Sequence, residues 1–309
     1  MNHQGVTVKV PASTANMGPG FDAIGMAFQL YTVIRMELAS ETKIQVLGDH
    51  LSALATDKSN LLYQVAAHLY QTLDLAVPEL SIEVSSEIPL TRGLGSSAAA
   101  VVGALVAANV LAGKPYTSDE LFSMAARWEG HPDNVGASFF GGIIVSSMPE
   151  KEGQVPYVCL SVPNTLRVLA LIPDFWLSTD KARSVLPDNY NKKDVVFTIG
   201  HSSLMVAALA QNRLDLLAEA MQDKIHQNYR ASLIPGLAEI LSGAVSHGAL
   251  GTALSGAGPT ILCLYETDEQ RESLSRFLGE VMDDHQVGYQ LLDLVPDTTG
   301  VQVSRNRLF

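Results

Sequence analysis

Apolar positions along the chain follow two rhythms, and the switch between them marks the elements. Residues 5–10 alternate as a half-buried strand does. The runs "YTVIRMEL" and "KIQVLG", rich in β-branched residues, read as further strands after a glycine-rich turn, "ANMGPGFDAIG". From Asn60, "NLLYQVAAHLYQTL" repeats its apolar residues at three and four positions, which predicts a helix; "LSIEVSSEI" returns to alternation. A loop ending in Gly-Leu-Gly leads into "SSAAAVVGALVAAN", apolar on every side and so a buried helix. "TSDELFSMAARWEG" opens with a capping box, Thr117 with Glu120. It should stop at Gly130, and Pro132 blocks its continuation.

"FFGGIIVSS" and "PYVCLSV" read as strands, and a second half begins near Pro163. It comprises a buried strand ("LRVLALIP"), helical patterns at 194–210, 212–226 and 235–247, and two strands around a glycine turn in "LGTALSGAGPTILCLYE". A charged amphipathic helix at 267–284 and two last strands complete it. Strands and helices without regular βαβ alternation predict an α+β fold, divided as 1–162 and 163–309.

Composition narrows the class. The 309 residues are 47% hydrophobic and 17% charged, as in a compact folded protein. A formal net charge of −12 argues against a non-specific binder of nucleic acid or anionic membrane. The N-terminus lacks a signal-peptide pattern, and the most apolar run, 98–112, carries Gly103 and Asn109 and is short for a bilayer span. A cytoplasmic protein is the expectation. Cys159 and Cys263, each in an apolar strand-like run, read as small core residues in a reducing compartment.

The stretch "PLTRGLGSSAAAVVGALVAAN", from Pro89, carries the first candidate chemistry. Glycines let several backbone N–H groups converge, and the first N–H groups of a helix have no internal partner and sit at the positive end of its dipole. An anion placed there satisfies both. Gly-Leu-Gly alone is equally a plain turn; two serines just ahead of an apolar helix favour the cradle. A Walker A loop is excluded, because no lysine follows Gly95. A hydrolase elbow fits poorly, with Ala99 where G-x-S-x-G needs its last glycine.

"PLTRGLGSSAA" closely resembles the P-x-x-x-G-L-G-S-S-A-A signature of the GHMP kinases. "VPASTANMGPGFDAIG" and "LSGAGPTILCL" resemble the first and third motifs of that family. Within it, "RWEGHPDNVGASFFGG", "STDKARSVLP" and "HQNYRASLIPG" are similar to segments of the homoserine kinase branch, so the likeness spans residues 6 to about 265. It implies an N-terminal lobe like ribosomal protein S5 domain 2 and a ferredoxin-like C-terminal lobe, with ATP and substrate in the cleft between them. It also implies transfer of the ATP γ-phosphoryl group to the side-chain hydroxyl of L-homoserine, and is compatible with a homodimer.

The same resemblance implies the site. Pro89, Leu90, Thr91, Arg92, Gly93, Leu94, Gly95, Ser96, Ser97, Ala98 and Ala99 would wrap the phosphates of ATP, and Ser97 and Glu129 would hold Mg²⁺. Glu129, in the last turn of a predicted helix, opposes the helix dipole, and a nearby cation would account for it. Arg183 and Arg230 would grip the substrate carboxylate. Asp22 would pair with its ammonium or orient its hydroxyl, with Asn16 and His131 completing the pocket. Asn134 stands in the region where mevalonate kinases and galactokinases carry an aspartate base. An amide cannot take the hydroxyl proton, so the expectation is transfer without a side-chain base; Asp133 is the rival candidate. Asn60 is either an adenine contact or simply the cap of its helix.

Overall fold

The computed structural model describes residues 5–48 and 51–304. Two sheets organise the chain. The first is built on a long antiparallel pair, β1 (Val6–Asn16) and β2 (Gly20–Leu38), with Val8 opposite Ile34 and bulges after Pro11 and Ala15. β3 (Lys43–Leu47) and β4 (Leu80–Ser86) extend it, running parallel to each other. β5 (Ile143–Ser146) pairs with the first half of β2, and β6 (Tyr157–Leu160) pairs with β5. The second sheet contains β7 (Arg167–Pro173), β8 (Gly251–Leu254), β9 (Ile261–Tyr265) and β10 (Tyr289–Leu294), in the order β10-β7-β9-β8 and antiparallel throughout. The strands of the first sheet up to β6 precede residue 163 and those of the second follow it, but β11 (Gln302–Ser304), from near the end of the chain, pairs with β1 as an edge strand of the first sheet.

The continuous apolar run of β7 has a physical cause. Leu169 and Leu171, with Ile261 and Cys263 of β9, face one buried cluster that includes Leu237, Ile240, Leu274 and Leu278. The alternate residues Val168, Ala170, Leu262 and Leu264 face the main core with Met205, Leu217 and Met221. A period of two with both faces covered removes the polar half of the alternation.

The helices of the first lobe are α1 (Leu61–Thr72), α2 (Ser96–Leu111), α3 (Ser118–Glu129) and α4 (Asp133–Phe140). The capping box Thr117–Glu120 forms, and α3 stops at Gly130 in the left-handed conformation. In α2, 11 of 16 residues are buried, and each buried Val or Leu contributes roughly 1.5–3 kcal/mol. The start of that helix is therefore held rigidly by the core.

Several sequence expectations need correction. Phe139 and Phe140 end a helix rather than open a strand: after α3 stops at Gly130, Pro132 stands at the N-cap of α4 and Asp133 occupies its first turn. The pattern at 212–226 breaks into a 3₁₀ turn (Leu214–Leu216) and one short helix, α7 (Leu217–Ala220). It stops because the Asp223 carboxylate accepts the backbone N–H groups of Ile225, His226 and Gln227, starting α8 (Gln227–Arg230) instead. A short helix over Thr179–Ser184, α5, precedes α6 (Lys192–Ala210). The pattern at 235–247 becomes α9 (Leu237–Gly243) and a 3₁₀ turn; α10 (Asp268–Asp284) matches its prediction. Both cysteines are free thiols, and Cys263 is buried, but Cys159 is exposed on the edge strand β6 rather than in the core.

Candidate active site

Three distant loops meet where the sheets face each other. The turn joining β1 to β2 holds Asn16, Met17 and Asp22 at φ of 71°, 46° and 53°, a strained conformation for non-glycine residues that concentrates at functional sites. Asn16 fixes it: its Oδ1 accepts the N–H of Asp22 at 3.0 Å, and its Nδ2 donates to the Gly256 carbonyl at 2.9 Å. The loop between β8 and β9 thus backs onto the first turn, and it backs onto the glycine loop as well. The Ser255 hydroxyl donates to the Gly93 carbonyl at 2.5 Å, and Thr260 N–H to the Arg92 carbonyl at 3.3 Å.

The glycine loop ends at Gly95, the N-cap of α2, with φ of 72° and no side-chain cap. The first N–H groups of α2 are left without intrahelical partners, as an anion cradle requires. A Cβ on Gly95 would lie 2.2 Å from Ser13 Oγ, and one on Gly93, also at positive φ, 2.5 Å from the Ser255 carbonyl oxygen. Leu94 is buried, its carbonyl accepting Ser13 N–H. The Arg92 side chain points away from the cradle. Its guanidinium donates to the Pro173 and Phe175 carbonyls and meets Asp174 at 3.2 Å, tying the loop to the end of β7. Arg92→Met is expected to raise the KM of the substrate bound on the glycine loop about 10-fold, the loss of one charged hydrogen-bond set, with a smaller change for the second substrate. Steady-state kinetics with each substrate varied checks this.

Ser97, on the first turn of α2, donates to Glu129 Oε1 at 2.7 Å. Glu129 is the last residue of α3, yet its carboxylate meets the positive end of α2, so the opposing dipole already has a compensating one. A cation is therefore not needed to explain its position. The pair still offers two hard oxygens at the open mouth of the cradle, suited to Mg²⁺, which takes few protein ligands and keeps waters and phosphate oxygens. Among the described residues no cluster of three or more His, Cys, Asp or Glu side chains could hold a metal by itself. Because Ser97 donates to a carboxylate and not to a histidine, the hydrolase reading lacks its base.

His131 Nδ1 lies 2.8 Å from Asp133 Oδ1, which also accepts Asn134 N–H at 2.7 Å. Asp133 is fully buried behind the histidine, and its Oδ2 has no hydrogen-bond partner among the described residues. Burial opposes charge on His131, but the bond and charge of Asp133, with Asp22 and Glu129 nearby, outweigh it and raise its pKa. Asn134 has a fixed orientation: Ser138 Oγ donates to Ser13 Oγ, which donates to Asn134 Oδ1, each at 3.0 Å. Its Nδ2 is left to donate into the cavity.

Arg183, near the end of α5, forms a two-pronged ion pair with Asp22 at 2.7 and 3.1 Å. Arg230 is 1% exposed and has no carboxylate partner among the described residues. Its Nε donates to the Ala182 carbonyl at 3.1 Å, and its Nη1 to the Gly256 carbonyl at 2.9 Å and His226 Nδ1 at 3.2 Å, while Nη2 has no partner among the described residues. Burial first, and then Arg183, push its pKa down to about 10. Phe21 lies under both guanidinium groups, at 5.6 and 5.5 Å.

Asn16, Asp22, Ser97, Glu129, His131, Asn134, Arg183 and Arg230 line a cavity of about 260 Å³. A second, mainly apolar cavity of about 330 Å³ lies across the glycine loop, lined by Leu51, Leu54, Leu62, Val84 and Leu90 beside Asn60. Thr91, Ser96 and Ser97 wall both. Asn60 caps α1, accepting Leu62 N–H at 2.9 Å and donating to the Ala55 carbonyl. Among the described residues no helix is long and apolar enough to cross a membrane.

An unpartnered helix start joined to a second lobe through a glycine loop, with hydroxyl and carboxylate at its mouth, is the arrangement a small-molecule phosphotransferase needs. The chain belongs to the GHMP kinases: residues 60–142 match the family model for the GHMP kinases N terminal domain and 205–284 that for GHMP kinases C terminal. Within them its relatives are homoserine kinases. It is 44% identical to the homoserine kinase of Deinococcus radiodurans, over 96% of each chain, and 41% identical to that of Desulfitobacterium hafniense, over 96% of this chain and 99% of the other. The crystal structure of homoserine kinase from Cytophaga hutchinsonii superposes with a TM-score of 0.86 at 27% identity, covering 98% of both chains. The α+β architecture is thus the GHMP fold expected from the motifs.

Of the residues singled out in the sequence, Asn16, Asp22, Thr91, Gly93, Gly95, Ser96, Ser97, Ala98, Glu129, His131, Asn134, Arg183 and Arg230 line one cavity, whereas Asn60, Pro89, Leu90, Arg92, Leu94 and Ala99 do not. Phe21, Ser13, Ser255 and His226 were missed. For His226 a signal existed: it lies four residues before Arg230, on the same side of a helical turn.

Proposed function

We propose that the protein transfers the γ-phosphoryl group of ATP to the side-chain hydroxyl of L-homoserine. The observation that carries this reading is Arg230, a buried guanidinium without a carboxylate, opening into a cavity beside a phosphate-type cradle. A buried cation of this kind is stabilised by an anionic ligand. Asp22 and Arg183, paired in the structure, together offer a negative and a positive group. A zwitterionic amino acid can insert between them, its ammonium on Asp22 and its carboxylate on Arg183 and Arg230, so that no charge is left alone.

The adenosine of ATP would lie in the apolar cavity by Asn60, whose backbone and apolar neighbours, rather than its engaged amide, would face the base. The loop from Pro89 to Ala99 would receive the phosphates. Ser97 and Glu129 would hold Mg²⁺, which when bound neutralises phosphate charge. Catalysis then rests on positioning and charge, as phosphoryl transfer requires. Asn134 Nδ2 donates to the acceptor oxygen and cannot remove its proton; with Asp133 enclosed behind His131, the proton passes to the transferred phosphate.

A coupled ADP-release assay over L-homoserine, L-threonine, mevalonate, galactose and buffer tests the assignment. Turnover of mevalonate or galactose without homoserine would refute it. Asp133→Asn tests the missing base: kcat is expected to fall about 10-fold through a less well oriented His131, whereas a general base would cost about 10²- to 10⁴-fold at unchanged KM.

A further inference from the structure

We infer that His226 is a positioning residue that holds the Arg230 guanidinium in the substrate cavity and ties it to the turn between β1 and β2. The inference rests on the reading of Arg230 as the carboxylate-binding group. His226 is completely buried. Its Nε2 lies 2.7 Å from the Gly18 carbonyl oxygen, which can only accept, so Nε2 carries the ring proton. Nδ1 is then a lone pair, and it faces Arg230 Nη1, which can only donate, at 3.2 Å. Both partners impose one neutral tautomer. A second ring proton would set N–H against N–H, and burial itself holds the pKa of His226 below the ordinary histidine value.

The remaining neighbours support this assignment. Asp223 approaches Nε2 only to 3.6 Å, and its oxygens already accept three backbone N–H groups. The Phe21 ring stacks on the imidazole at 5.1 Å and 25°, and the same ring lies under Arg230 and Arg183. The imidazole therefore spans the two lobes as a rigid spacer with an acceptor on one edge and a donor on the other. Lysine and arginine have no acceptor for this place, and aliphatic side chains have neither group. The Ala182 carbonyl holds Nε and the Gly256 carbonyl one proton of Nη1; the His226 bond takes the second Nη1 proton, so losing it removes one of the three contacts that fix the guanidinium.

Four enzymes separate this role from simple packing: the wild type, His226→Ala, His226→Asn, which keeps an acceptor near Nδ1, and His226→Gln, which keeps a donor near Nε2. In steady-state kinetics with ATP and L-homoserine, His226→Ala and His226→Gln are expected to raise the homoserine KM about 10- to 100-fold with the ATP KM within about 2-fold. His226→Asn should recover it to within about 3-fold of wild type. If all three variants raised both KM values together, or if Asn fared no better than Gln, the positioning role would be wrong; the Asn–Gln comparison stands even if the alanine variant does not fold. Wild-type enzyme that ignored homoserine would overturn the proposed function instead. Long-range ¹H–¹⁵N NMR of the imidazoles then decides the inference without any substrate: a neutral His226 protonated at Nε2 supports it, and an imidazolium or an Nδ1–H tautomer overturns it.

Discussion

Arg230→Met is expected to lower kcat/KM for L-homoserine about 10²- to 10³-fold, the range for removing one member of a buried charge contact, while the KM for ATP stays within about 3-fold. The fold should survive. Methionine fills the buried volume and removes a cation that no carboxylate pairs with among the described residues, Asp22 and Asp223 acting on it only at a distance. That gain offsets hydrogen bonds lost at Ala182, Gly256 and His226, so Tm is expected to move by no more than about 3 °C. The sign of the charge effect is fixed by the depressed pKa of about 10. A cation whose folded pKa lies below its unfolded one destabilises the protein at every pH below the folded value, and the penalty fades only as pH rises through it. Aminopropanol, homoserine without its carboxylate, supplies the control. Wild type should discriminate strongly against it, and the methionine variant should discriminate little. Undiminished discrimination in the variant would show that Arg230 does not read the carboxylate.

The legibility of this site varied with how local its signals are. The glycine loop, the capping box of α3 and the helix stop at Gly130 are written in adjacent residues, and all three stand where the sequence put them. The strand β7 was recognisable as buried, but which of its residues face which core was not, because both faces are apolar and the alternation carries no contrast. The break at 221–226 was illegible for a different reason. The 212–226 window keeps a helical spacing, and what ends the helix is a carboxylate that caps the next one. Phe21 and Ser13 escaped notice because their partners lie more than a hundred residues away, Ser13 with Asn134 for example; of the two contacts of His226, the one to Arg230 is local and only the one to Gly18 is distant. Arg92 shows the converse case. It lies inside the most specific motif of the chain, yet its side chain serves the junction with β7.

The junction makes a second large effect expected at Gly95. A methyl group there would meet Ser13 Oγ at 2.2 Å and the Ser13 carbonyl oxygen at 2.9 Å, at a φ of 72° that alanine adopts only with strain. Overpacking of this kind costs about 1–3 kcal/mol, and a non-glycine residue in the left-handed region adds a further cost. Neither neighbour can give freely: Ser13 Oγ donates to Asn134 Oδ1 and accepts from Ser138, while its backbone N–H holds the Leu94 carbonyl. Relief must come from moving the start of α2, whose first N–H groups form the cradle, or from turning Asn134. Gly95→Ala is therefore expected to reduce kcat/KM for ATP about 10²- to 10³-fold, the scale of a lost preorganised donor, with kcat falling alongside because Asn134 shifts with Ser13. Far-UV circular dichroism should remain that of the wild type, and nucleotide titration followed by calorimetry should show weakened ATP binding. A variant that bound and used ATP normally would place the phosphates elsewhere than on the N-terminus of α2.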